Sequence, residues 1–150
     1  MVLSPFTLLR RYQVSGIGIR LNTPQPGAEV RLGLYRTYPD SAADLALFGE
    51  ATALPLDSGT GNKTATVDWD LVPGNYWVAS VFKNLPTMPT VQRAADGVFG
   101  AVTRASADNV ANTPIRYRSL AHAYGALPAK AVATAVAGGA DLPLIYLRRA

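Results

Sequence analysis

Between residues 64 and 71 apolar and polar side chains alternate without a break. Ala65, Val67, Trp69 and Leu71 fall on one side, and Thr64, Thr66, Asp68 and Asp70 on the other. A period of two puts one set against a core and the other in water, so this segment is a half-buried strand that needs a sheet around it. Pro73 and Gly74 mark a tight turn, and residues 75–82, rich in Tyr, Trp, Val and Phe, read as the returning strand. Residues 63–82 are therefore expected to form a hairpin, and the almost continuous apolar run of its second arm predicts burial on both faces.

The same signal recurs along the chain. In residues 13–21 Gly16 and Gly18 alternate with Ile17, Ile19 and Leu21, which predicts a strand with one apolar face and one nearly bare face open to close packing. After the turn residues 22–27, Val30, Leu32 and Leu34 alternate with Arg31, Gly33 and Tyr35, a second strand expected to pair with the first. Residues 38–49 fit neither period and are expected as an irregular excursion with one helical turn. Residues 87–93 add a strand whose start lies near an edge because of Pro86 and Pro89. Residues 94–112 read as a long loop with a short strand or turn around 98–103, and late strands are expected at 114–120 and 143–149. About eight short strands, turns at roughly ten-residue spacing and no long helix predict an all-β fold, an antiparallel, jelly-roll-like β-sandwich.

Composition bounds what such a fold can do. A chain of 150 residues is the size of one domain and can bury a core without cross-links. Eleven prolines and thirteen glycines, spread in short clusters, punctuate it into short segments. Only 16% of residues are charged against 49% hydrophobic, so some apolar surface is expected to end in subunit contacts. The absence of cysteine excludes disulfides, thiolate metal sites and cysteine nucleophiles. The net charge of +4 is carried by scattered arginine pairs rather than a dense run, which argues against a nucleic-acid arm. Residues 1–9 are apolar but lack the basic start and small-residue cleavage pattern of a secretion signal. The window 129–147 is interrupted by Gly138, Gly139, Asp141 and Pro143, so no membrane span is expected.

Residues 14–93 resemble a module found in tail-fibre, head-fibre and other virion proteins of tailed bacteriophages. The resemblance lies in Ser15-Gly16-Ile17-Gly18-Ile19, Val30-Arg31-Leu32-Gly33-Leu34-Tyr35, Leu71-Val72-Pro73-Gly74-Asn75-Tyr76-Trp77-Val78-Ala79 and Pro89-Thr90-Val91-Gln92-Arg93, in that order. Pro143-Leu144-Ile145-Tyr146-Leu147-Arg148 also looks like the closing strand of such modules. The resemblance implies a non-catalytic structural protein on the virion surface, self-associating as a homotrimer and contacting other virion proteins such as the major capsid protein. Relatives are generally appended to stalks or collagen-like repeats, neither of which occurs in this sequence. The expectation is therefore a protein that decorates or cements the capsid, with a receptor-binding fibre or tail module recognising host-surface glycan as the alternative.

The chemistry-bearing residues are few, and each has a plainer reading. His122, Ser119 and Asp141 write out a formal hydrolase triad, but no nucleophile elbow or oxyanion glycine pattern surrounds Ser119, so His122 reads as a loop or interface residue. Asp68 and Asp70, with Asp57, have oxygen ligands for a hard cation, but alternating polar residues normally form the wet face of a strand. No cofactor or metal is expected. Trp69 shares the apolar register and reads as core, and Tyr76 and Trp77 point opposite ways, so the three do not make one stacking platform. Tyr35, Tyr117 and Tyr124 are the better sugar candidates. The expected partner contacts are Arg10, Arg11, Tyr35, Arg116, Tyr117, Arg118, Arg148 and Arg149, as intersubunit salt bridges or solvated groups. One domain, 1–150, is expected, with residues 1–10 as either an arm or one more strand, residues 129–137 as a second arm, and residues 131–139 otherwise as a poorly packed surface loop.

Overall fold

The computed structural model describes residues 1–38, 41–92, 117–132, 134–136 and 143–150. Among these the chain is all-β, twelve strands and no helix. The strands are β1 (Val2–Leu8), β2 (Tyr12–Thr23), β3 (Glu29–Tyr38), β4 (Ser41–Glu50), β5 (Leu54–Pro55), β6 (Gly61–Leu71), β7 (Gly74–Phe82), β8 (Thr90–Val91), β9 (Tyr117–Ser119), β10 (Lys130–Val132), β11 (Thr134–Val136) and β12 (Ile145–Arg149). They form two antiparallel sheets. The larger runs β10-β4-β3-β7-β1-β9-β11, with β5 also on β3, and the smaller runs β12-β2-β6, with β8 also on β2. The chain crosses repeatedly from one sheet to the other, as in jelly-roll-like sandwiches.

The expected hairpin at 63–82 is not one. Both strands are there, but β6 pairs with β2 in the smaller sheet and β7 with β1 and β3 in the larger. Val72 and Pro73 carry the chain across the sandwich, so that Ala65 and Leu71 of β6 face Tyr76 and Val78 of β7 within one core. The same correction applies to 13–21 and 30–35. They are strands β2 and β3, but they lie in opposite sheets, and Ile17, Ile19 and Leu21 meet Val30, Leu32 and Leu34 across the core. A Pro-Gly turn between two apolar strands is compatible with pairing beside or packing opposite. The choice depends on neighbours elsewhere in the chain, here β1 and β2.

Residues 41–50 form strand β4 instead of an irregular excursion; Pro39 and Asp40 lie outside the described residues. The alternation failed there because of a bulge. Leu34 pairs with Gly49 and Tyr35 with Leu47, which leaves Phe48 as an extra residue and reverses the facing of its neighbours along the strand. In β2, Ser15 is likewise an extra residue against β12, where Arg149 pairs with Val14 and Arg148 with Gly16, and Val14 and Ile17, three apart, are both fully buried. Residues 1–10 are not a free arm: Val2–Leu8 is inserted between β7 and β9 in the larger sheet. Residues 130–132 and 134–136 are likewise strands, on β4 and β9. The expected loop at 94–112 lies outside the described residues.

The larger sheet is covered on both sides. One face meets the smaller sheet, and the other carries a second core of Leu3, Tyr35, Leu45, Ala79 and Val81, closed over by Leu127 and Ala131 with Leu120 and Tyr124. Residues 120–129 thus form a strap, a third layer, that leads into β10 at the edge of the sheet. This accounts for the two-sided burial of β7, where Tyr76 and Val78 face one core and Ala79 and Val81 the other. On the outside of the smaller sheet, the bare face expected at Gly16 and Gly18 is used by β12. A Cβ on Gly18 would lie 2.6 Å from the Tyr146 hydroxyl and 2.2 Å from the Lys63 carbonyl oxygen. Tyr146 crosses that gap to meet the Thr64 hydroxyl at 2.5 Å, joining the two strands that flank β2.

Candidate partner-binding surface

The expected contact residues separate into four groups. Arg10, Arg11 and Arg149 come together at one end of the sandwich. Leu8 pairs with Gly74 and Tyr12 with Leu71, so the connection 9–11 and the turn 72–73 run side by side as they cross between the sheets. The end of β12 joins them, because the amide of Ala150 donates to the Gln13 carbonyl (3.1 Å) and the Arg149 guanidinium lies 5.9 Å from the centre of the Tyr12 ring. Arg10, Arg11, Tyr12, Gln13, Arg149 and Ala150 line a cleft of about 280 Å³.

Arg148 belongs to the adjoining outer face of the smaller sheet, where its Nε donates to Ser15 Oγ (3.3 Å). Tyr117 and Arg118 lie on β9, in register with Val136 and with Leu3, respectively. Arg116 lies outside the described residues. Tyr35 is a correction: it is fully buried in the second core, where its hydroxyl donates to the Pro128 carbonyl (2.8 Å). Its place on β3, in the register of Arg31 and Gly33, faces the strap rather than solvent, and the strap is invisible to a local pattern. Burial, followed by the charge of Glu50, raises its pKa well above the ordinary tyrosine value.

The formal metal and catalytic sets do not assemble among the described residues. Asp70 accepts from Arg11 Nε (2.8 Å) and forms an ion pair with the same guanidinium, and Asp68 accepts from Gln13 Nε2 (2.6 Å). The hydrogen bond from Arg11 holds the Asp70 carboxyl below the usual carboxylate range and raises the Arg11 pKa. Asp57 sits in the turn before β6, at the opposite end of that strand, and bonds to Ser58. His122 Nε2 lies 3.1 Å from the Ala126 carbonyl, closing a loop of the strap; Asp141 lies outside the described residues. Among the described residues there is no cluster of three or more His, Asp or Glu suited to a metal, and no helix long and apolar enough to cross a membrane.

The aromatic residues divide as their register requires. Tyr76 lies in the core between the sheets and Trp77 packs against the other core. Trp69 lies partly buried against the bare backbone of Gly49, where a Cβ would come within 2.6 Å of the indole nitrogen. Phe48, half-exposed at the bulge, stands edge-on to Trp69 and to Tyr76 with ring centres 6.4 and 6.0 Å away. Tyr124 is engaged from two sides: its hydroxyl donates to Glu29 (2.8 Å) and the Arg31 guanidinium lies 5.8 Å from its ring centre.

Sequence reasoning missed Leu9, 87% exposed, and Val72, 40% exposed, which flank the arginines in the two adjoining crossings. A signal existed for Leu9. Leu8 and Leu9 are consecutive at the end of a strand and cannot both face the core. Comparison with protein-family models, with curated proteins and with solved structures found no match.

Proposed function

We propose that the chain is a structural component of a bacteriophage particle that decorates or reinforces the capsid through contacts with copies of itself, as a trimer, and with neighbouring shell proteins. The observation that carries this reading is that three of the motif-bearing segments, 15–19, 30–35 and 74–79, lie on β2, β3 and β7, the central strands of the two sheets, while those at 90–91 and 145–148 lie on β8 and β12, both paired with β2. The reading places the protein on the virion surface and gives it a mechanical task, in which affinity comes from apolar burial and strand edges rather than chemistry. The arginines at the end of β12 and in the 9–11 crossing are then contact residues. Two measurements test it: the mass of the purified protein by sedimentation equilibrium, and its binding to expanded capsids that lack it. A trimer that saturates such capsids is expected; a stable monomer that leaves them bare would sink the reading.

The second reading, a fibre or tail module that recognises host glycan, is favoured by the half-exposed Phe48 beside Trp69, an aromatic edge of the kind that sugars pack on. It predicts binding to host polysaccharide that Phe48→Ala abolishes. A glycan array without signal would remove it.

A further inference from the structure

We propose that the cleft between the 9–11 crossing and the end of β12 is a docking site for an acidic, partly apolar segment of another protein. The inference is independent of which particle, if any, the chain belongs to. Its lining side chains include three guanidinium groups, of Arg10, Arg11 and Arg149, and no carboxylate. Arg11 is neutralised by its ion pair with Asp70, so the uncompensated charge among the cleft's described side chains is that of Arg10 and Arg149. Arg149 is steered by the Tyr12 ring, and Arg10 has no ion-pair or hydrogen-bond partner among the described residues. Positive groups held in a concave site attract a carboxylate, and an arginine fork receives it bidentately.

The surroundings of the cleft decide between kinds of anion. Leu9 stands 87% exposed immediately before Arg10, and Val72 is 40% exposed in the adjoining crossing. Water contact at two aliphatic side chains next to a cationic cleft fits a partner that brings both carboxylates and apolar side chains, which is how protein surfaces are composed. A nucleic-acid backbone would have no use for the exposed aliphatic side chains of Leu9 and Val72. A bilayer would require a broader apolar surface than one leucine and one valine.

The test uses the whole protein and a fluorescent fourteen-residue peptide of alternating Glu and Leu as probe, followed by anisotropy. A Lys-Leu peptide, a single-stranded DNA oligonucleotide, inorganic phosphate, and vesicles of phosphatidylcholine with phosphatidylserine serve as the other arms. The acidic peptide is expected to bind and to weaken with added salt. Reversing two charges in Arg10→Glu/Arg149→Glu is expected to weaken it at least about tenfold, and Leu9→Ser about threefold. Arg20→Glu, an exposed arginine at the far end of β2, is the control and is expected to leave binding unchanged. All these side chains are exposed, so the fold is expected to survive, which the thermal midpoint checks. Failure of the acidic peptide to bind, or binding indifferent to the double variant, overturns the proposal. So does DNA, phosphate or the vesicles binding as tightly with the same sensitivity.

Discussion

The hydroxyl of Tyr35 on β3 donates a hydrogen bond of 2.8 Å to the carbonyl of Pro128, 93 residues further along the chain. This bond ties the strap over the second core, and its donor cannot be reached by water. Tyr35→Phe removes the donor while keeping the ring, and is expected to cost about 1 kcal/mol through loss of this partly buried hydrogen bond. Urea denaturation of the two proteins measures it.

Alkaline pH acts on the same layer. Burial is the main cause that raises the pKa of both Tyr35 and Tyr124, the latter to about 12 from an ordinary value of 10.0. Between these values the folded state holds protons that the unfolded chain has released. The stabilisation is therefore complete below pH 10 and is lost as pH rises toward 12. The urea midpoint is expected to fall steadily over that window, and less steeply in Tyr35→Phe and in Tyr124→Phe. A flat profile in the parent protein would contradict the buried phenols.

Leu127 closes the second core at 5% exposure, and its Cδ1 occupies space that a Cβ on Gly33 would enter at 2.3 Å. Leu127→Ala is expected to cost about 2–5 kcal/mol by cavity formation. Hydrogen exchange is expected to accelerate first in residues 120–131, with β2 and β6 still protected, because the smaller sheet does not touch this core.

Gly18→Ala sets a methyl group against the Tyr146 ring and against the Lys63 carbonyl, and the carbonyl cannot yield without parting β6 from β2. A loss of about 1–3 kcal/mol is expected from the overpacking. Tyr146→Phe keeps the ring over Gly18 and removes only the bond to Thr64, so its thermal midpoint is expected to drop less.

Arg11 and Asp70 form an exposed pair, and the depressed carboxyl sets the sign of its pH dependence. Its stabilisation is present above the ordinary carboxylate value of 3.8 and is lost as pH falls through the lower, folded one. Thermal midpoints of the parent and of Arg11→Ala are expected to differ slightly at neutral pH and to converge in strong acid and in high salt.

Strand existence was legible wherever the alternation ran unbroken, as at Thr64 to Leu71. It was lost where a bulge inserted one residue, as at Phe48, because a single extra residue turns every later side chain to the other face. The candidate surface was half legible. The arginine pairs stand out in composition, but Arg10 and Arg149 are 139 positions apart, and nothing local says that β12 ends beside the 9–11 crossing. Tyr35 carried no local sign that a strap would cover it.

The sequence by itself determined that this protein is all-β and which side chains of most strands face a core, because a two-residue period and Pro-Gly punctuation act over a few residues. Only the tertiary structure decided which strand lies beside which. The 72–73 turn closes a crossing between sheets instead of a hairpin because β6 finds its ladder on β2, and β7 finds its own between β1 and β3. Backbone groups must be paired throughout a buried sheet, and that pairing is satisfied over the whole chain at once.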